Sequence, residues 1–349
     1  MLFRSSISSA LGTRVRFNTF GETDPELPTW STAPYTAVVL VEGTIIDGES
    51  RTIPFLNINF TGSDTLVAQL RGLRNDPMCK GILLRVNSPG GSALASDLIW
   101  REVQRTQDAH EKQPQRSPPI IVSMGDVAAS GGYYVAMGAR QVFALPTTIT
   151  GSIGVVSIHF DLSGLLTKLG ISTSTFQRGK NADITSLYHP YSDDQRARMD
   201  ASMRRIYDLF RSRVAAGRKL TMETVDQLGR GHVYSGVDAK ELRLIDELGG
   251  LHEALAALRA KTGVPARVDL DLRVLPRQRR IVDILLEQVM PRGREKGLRA
   301  TVDSALARQE AKQQLPLALS AALARLPLSL LFLPQDRALA LLPGLVELE

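Results

Sequence analysis

Ser130 is the residue around which chemistry could be built. It lies in Gly125-Asp126-Val127-Ala128-Ala129-Ser130-Gly131-Gly132-Tyr133-Tyr134, just after an apolar β-branched run and just before a predicted helix. The small residues beside it leave space for a substrate backbone, and a helix start favours an alkoxide-like oxygen. This is the placement of a serine nucleophile, and equally that of a serine helix cap. A second segment, Arg85-Val86-Asn87-Ser88-Pro89-Gly90-Gly91-Ser92, takes a buried strand through a Pro-Gly-Gly turn into a helix. Glycines in such a turn leave backbone N–H groups uncovered, so Gly90 and Gly91, with Gly131, are candidate donors to an oxyanion. A third, Thr147-Thr148-Ile149-Thr150-Gly151-Ser152-Ile153-Gly154-Val155, joins a polar turn to a β-prone run and offers Ser152 as a hydroxyl near the catalytic group. Taken singly, each segment is explained as well by an ordinary turn.

A serine hydroxyl becomes a useful nucleophile only when a base takes its proton. The histidines are His110, His159, His189, His232 and His252, and only His159 and His189 come from segments near the predicted site. Each reads more simply as an ordinary surface or half-buried histidine. No metal-ligand spacing is visible, and no cofactor is expected. The one cysteine, Cys79, precedes a buried strand and reads as a small core residue rather than a catalytic thiol.

The elements that must hold these segments follow from hydrophobic pattern. Residues 35–41, 81–86 and 119–123 read as buried strands, the first and third β-branched, and short strands are expected at 141–144 and 153–158. Helices are expected from Ser63 through Leu73, over 92–107, over 162–169, and from a Ser192 cap to about Ala216; residues 108–118 read as a polar loop. Strands alternating with helices on short loops predict an α/β fold with mostly parallel strands and right-handed crossovers. Residues 267–275 alternate like one more strand, after which the texture turns Arg-rich and amphipathic, then Leu/Ala/Pro-rich. The expected organisation is an N-terminal extension over 1–35, a catalytic domain over 36–265 and a C-terminal extension over 266–349.

Net charge is +6 over 349 residues, scattered without an Arg/Lys stripe beside aromatics, which argues against nucleic acid as a partner. An anionic membrane surface suits the excess better. In the tail, Ile281, Ile284, Leu285 and Val289 recur at helical spacing between Arg277, Arg279, Arg280, Arg292 and Arg294. Such a segment suits a membrane surface or an oligomer contact. Residues 1–20 hold no signal-peptide core, and the stretch 315–333 is interrupted by Pro316, Arg325 and Pro327, so no clear transmembrane helix is expected.

The series NSPGG, GDVAASGGYY, TTITGSIGV and GRGHVYSGVDAKELRLIDELGG, in this order over about residues 36–260, resembles the signal peptide peptidase A (protease IV) family, and most closely the C-terminal half of its long form. The resemblance implies a crotonase/Clp-protease-like fold of stacked βα units, with an amphipathic helical C-terminal extension here. It implies a serine endopeptidase of Ser/Lys type that degrades hydrophobic peptides such as cleaved signal peptides, as an oligomer at a membrane or in the cell envelope. Ser130 falls on the family's nucleophile, Gly90 and Gly91 on its oxyanion loop, and Ser152 on a hydroxyl that could orient the base. The family's lysine lies in a Gly-x-x-Lys-Asp segment; here the segment is Gly179-Lys180-Asn181-Ala182-Asp183, with Ala182 in the lysine slot. Three readings remain open: a lysine from another subunit of a homo- or hetero-oligomer, Lys180 acting from two positions upstream, or a catalytically incomplete subunit that scaffolds an active partner. An acyl-CoA enzyme on the same fold is disfavoured, since the Ser-Gly-Gly turn has no role in it.

Overall fold

The computed structural model describes residues 34–53, 58–264 and 271–276. All fall within the first of two compact units, residues 1–278; the second, residues 279–349, lies outside the described residues, as do the expected basic amphipathic tail and nearly all of the N-terminal extension.

The chain opens on β1 (Tyr35–Glu42), continues through β2 (Thr44–Ile46), β3 (Arg51–Ile53) and β4 (Ile58–Gly62), and enters helix α1 (Ser63–Asn75). Then come β5 (Cys79–Ser88), α2 (Ala93–Lys112), β6 (Ile120–Ala129), α3 (Gly131–Ala136), β7 (Val142–Ala144) and β8 (Ile149–Gly151). The second half is more helical: α4 (Ser163–Lys168), α5 (Asp193–Arg218), α6 (Met222–Leu228), β9 (Val233–Tyr234), α7 (Gly236–Glu241), β10 (Glu247–Leu248) and α8 (Leu251–Lys261), closing on β11 (Asp271–Leu275). The main sheet runs β10-β7-β6-β5-β1-β11, and every neighbouring pair on that path is parallel. This is the expected α/β class. β8 continues alongside β6 beyond β7, and β2, β4 and β3 form a small separate sheet.

Both faces of the central strands are covered, which is why they read as unbroken apolar runs rather than as alternation. One face carries Val39, Val41, Ile82, Leu84, Val86 and Val122 under α1, α2 and α3. The other carries Val38, Leu40, Leu83 and Ile121 under Ala254, Leu255 and Leu258 of α8. Cys79 opens β5, and burial pushes its thiol up to about 12, as befits a core residue.

Three expectations need correction. The helix expected to stop at Gln107 runs to Lys112, because Asp108 and Glu111 find partners in Gln104 and Arg140 and the chain breaks only before Pro114. Strand β6 runs on to Ala129 rather than ending at Ser123, since its last residues gain a new neighbour, with Val127 to Ala129 pairing against β8. Residues 153–158 form no ladder: Val155, Val156 and Ile158 supply β-branched side chains, but no strand lies beside them among the described residues, and Val156 is 86% exposed.

Candidate active site

Parallel strands present functional loops at their carboxyl ends. Here the ends of β5, β6 and β8 converge. Ser130 is the residue between β6 and α3, and its backbone sits at φ 50°, ψ −120°, a region that L-residues rarely occupy. Such strain persists only where its surroundings over-determine it. The constraints are visible: the Ser130 N–H donates to the Gly151 carbonyl of β8 at 2.9 Å, and the Ser130 carbonyl accepts from Tyr134 at 2.8 Å.

The 88–91 turn presses directly against this point. A Cβ on Gly90 would lie 2.6 Å from the Gly131 nitrogen and 2.8 Å from Ser130 Cβ, so only glycine fits. Gly91 is fixed from the other side, because a Cβ there would meet the Ile45 carbonyl at 2.0 Å. The flanking peptide bonds clamp onto Ile45, whose N–H donates to the Gly90 carbonyl and whose carbonyl accepts from Ser92. The buried Ser88 hydroxyl donates to the Gly43 carbonyl at 2.6 Å and accepts from the Gly90 N–H at 3.1 Å. The N–H groups of Gly91 and Gly131, by contrast, have no acceptor among the described residues.

The third segment is tied down by two of its three threonines, Thr148 and Thr150, both fully buried. Thr148 Oγ1 donates to the Gly125 carbonyl at 2.7 Å, and Thr150 Oγ1 to the Ala128 carbonyl at 2.8 Å. Ser152 then turns with φ 50°, its N–H donating to the His232 carbonyl at 2.7 Å. His232 thus serves the site through its backbone, while the residue itself is exposed. The tyrosines after Ser130 anchor α3. Tyr133 donates to the Leu244 carbonyl at 2.8 Å and Tyr134 to Asp97 at 2.7 Å; burial, and for Tyr134 the neighbouring carboxylate as well, raise both phenols above their ordinary range. Asp246 in turn accepts from the Val142 N–H and holds Arg218 through both of its oxygens, locking α5 to the sheet.

Ser130, Gly91, Gly131 and Ser152 line one cleft of about 770 Å³. Its far wall is the apolar face of α5, with Met203, Ile206, Tyr207 and Phe210. Reading the sequence as a line missed this wall, though its spacing of three, four and seven is a helix-face signal. Phe210 lies 4.7 Å from the Tyr134 ring and so joins wall to floor.

Lys180 is not brought to this cleft. Its side chain is 78% exposed and its ammonium lies 3.7 Å from Asp194. Ala182 is likewise exposed and outside the lining. His159 stacks on Tyr191, and His189 sits beside Asp183 at 2.9 Å; neither lines the cleft. Among the described residues no lysine, histidine or carboxylate does, and no group of His, Cys, Asp or Glu is arranged to hold a metal. What the arrangement can do is present a strained hydroxyl and two unused N–H groups to a carbonyl in a largely apolar groove.

Comparison with known proteins agrees in kind. Residues 112–265 match the model of peptidase family S49. The chain is 37% identical to the chloroplastic serine protease SPPA of Arabidopsis thaliana over 62% of its own length and 31% of that protein's, so it spans about a third of that relative. It is 34% identical to a Synechocystis sp. protein with a provisional protease name, over 60% of this chain and 74% of the relative. A mutant form of ClpP1 from Listeria monocytogenes shares 16% identity with a TM-score of 0.37, covering 62% of this chain and 94% of that one. Because the Synechocystis relative is 34% identical and matched over 74% of its length, with residues 112–265 on the family model, the chain belongs to peptidase family S49.

Proposed function

We propose that the chain is a serine-type peptidase subunit acting on unfolded, apolar peptides, of which cleaved signal peptides are one source. The observation that supports this most is the strained Ser130 facing the unsatisfied N–H groups of Gly91 and Gly131 in an apolar cleft. Ser130 Oγ attacks the scissile carbonyl carbon while its proton passes to a neutral lysine amine. The carbonyl oxygen, now negative, is held by the Gly91 and Gly131 amides. Gly90 contributes the close approach, its own N–H being engaged by Ser88. Collapse expels the amine, which takes the proton from the lysine; water then releases the acyl group by the reverse sequence.

The lysine comes from outside the described residues, carried by another subunit, since none in this cleft can serve. Assembly is also the reading that suits the segment 155–192, where Val156, Ile158, Phe160, Leu165, Leu169 and Phe176 are all largely exposed. Such a concentration of apolar surface on one arm marks a contact. A position at a membrane surface fits apolar substrates, and no described helix is long and apolar enough to cross a membrane.

The test is hydrolysis of a fluorogenic apolar peptide by the assembled full-length protein. Turnover that disappears in Ser130→Ala, with the assembly intact, is expected. Turnover that survives Ser130→Ala would place the chemistry elsewhere.

A further inference from the structure

We infer that Arg204 reads a carboxylate on the bound peptide, so that this cleft selects an apolar peptide bearing one negative charge; this rests on the peptide-binding role proposed above. The lining of the cleft contains no carboxylate but two arginines. Arg230 is spoken for: its guanidinium holds Asp226 at 2.6 and 3.1 Å, and its backbone N–H donates to the Tyr207 hydroxyl. The Asp226 hydrogen bond raises the affinity of Arg230 for its proton. The Arg204 guanidinium has no ion pair and no hydrogen bond among the described residues; on α5 it shares this with Arg196 and Arg205, which do not line the cleft, whereas Arg198 pairs with Asp194, Arg211 with Asp208 and Asp226, Arg213 with Asp97 and Arg218 with Asp246.

Its position makes the isolation consequential. Arg204 follows Met203 and precedes Ile206, Tyr207 and Phe210 on the helix that walls the cleft, so it places a fixed positive charge beside an apolar surface. A peptide laid on that surface displaces water and lowers the local dielectric, which strengthens whatever charge interaction remains. A guanidinium is never neutral near physiological pH and offers two parallel N–H groups to a carboxylate. The same charge penalises a lysine or arginine at that subsite, so discrimination comes from repulsion as well as attraction. The carboxylate can be an Asp or Glu side chain or the peptide's own C-terminus.

The experiment uses the full-length Ser130→Ala chain, so that binding is read without turnover, and a set of dansyl-labelled Ala/Leu peptides. One arm scans Asp, Asn or Lys through a C-terminally amidated peptide; the other compares the neutral peptide as free acid and as amide. At one position, or for the free acid alone, the carboxylate form should bind roughly five- to twentyfold more tightly than its neutral counterpart. That preference should vanish in Arg204→Gln and turn toward Lys in Arg204→Glu. Which arm shows it identifies the source of the carboxylate. Neutral peptides that bind with no charge preference in either arm, or a preference that survives Arg204→Glu, would overturn the inference while leaving the peptide-binding role intact. Failure of every peptide to bind at millimolar concentration would sink both.

Discussion

Ser130 and Gly90 are a matched pair: one adopts a backbone conformation that side chains avoid, and the other lacks the side chain that would collide with it. Gly90→Ala must therefore move the turn or Ser130 itself. Because the new methyl would point at the Gly131 nitrogen, the donor geometry is lost first. Activity on the apolar peptide should fall by roughly a hundredfold or more, the scale of losing one oxyanion donor. Steady-state kinetics checks this, with circular dichroism to show that the fold survives; activity within a few-fold of the parent chain would contradict the close-approach argument. At this scale the sequence was eloquent about residue type and silent about partners. Ser130, Gly91, Gly131 and Ser152 stand out only as a set, through the order of their segments along the chain, since each alone reads equally as an ordinary turn or helix cap. That the Gly90 N–H is engaged by Ser88 while the Gly91 N–H is not depends on how the turn folds back over Gly43 and Ile45, which no local pattern encodes.

Elements hold these residues in place through a few buried polar contacts. Glu102 on α2 is 1% exposed and is surrounded by Arg74 and Arg71 of α1 and Arg105 of its own helix. Removing the carboxylate leaves Arg74, itself largely covered, without its counter-charge. Glu102→Ala should cost about 2–4 kcal/mol, read as a lower urea midpoint at unchanged slope; a loss below about 0.5 kcal/mol would mean that the arginines simply turn to solvent. The central strands β1, β5 and β6 were legible because burial on both faces writes itself as consecutive apolar residues without alternation. The helix capped by Ser192 was legible for a different reason: Ser192 and Gln195 satisfy each other's backbone groups in a reciprocal cap. Residues 153–158 misled because β-branched composition reports a preference for extended backbone, whereas a strand also needs a neighbour. The last turn of α2 was hidden by its charges, which look like a loop until their partners Arg140 and Gln104 are in view.

The central strands pack on both faces, against α1, α2 and α3 on one and α8 on the other, while the arm over 155–192 turns Phe176, 97% exposed, and several other apolar side chains outward. Phe160→Asp with Phe176→Asp should shift the sedimentation of the protein toward smaller species, while leaving its helix content unchanged. A wild-type chain that is monomeric at micromolar concentration, or a double variant that assembles just as well, would contradict a contact role for the arm. The hydroxyl, the two amides and the apolar wall come from this chain, while under the proposed function the base is carried by another subunit, so no local pattern here would show it. The most direct measurement is therefore labelling of the assembled full-length protein with a fluorophosphonate, followed by mass spectrometric mapping of the adduct. The account predicts an adduct on Ser130 that grows as pH rises and the lysine amine becomes neutral, and that is absent from Ser130→Ala. An assembly in which Ser130 takes up no label at any pH would contradict it.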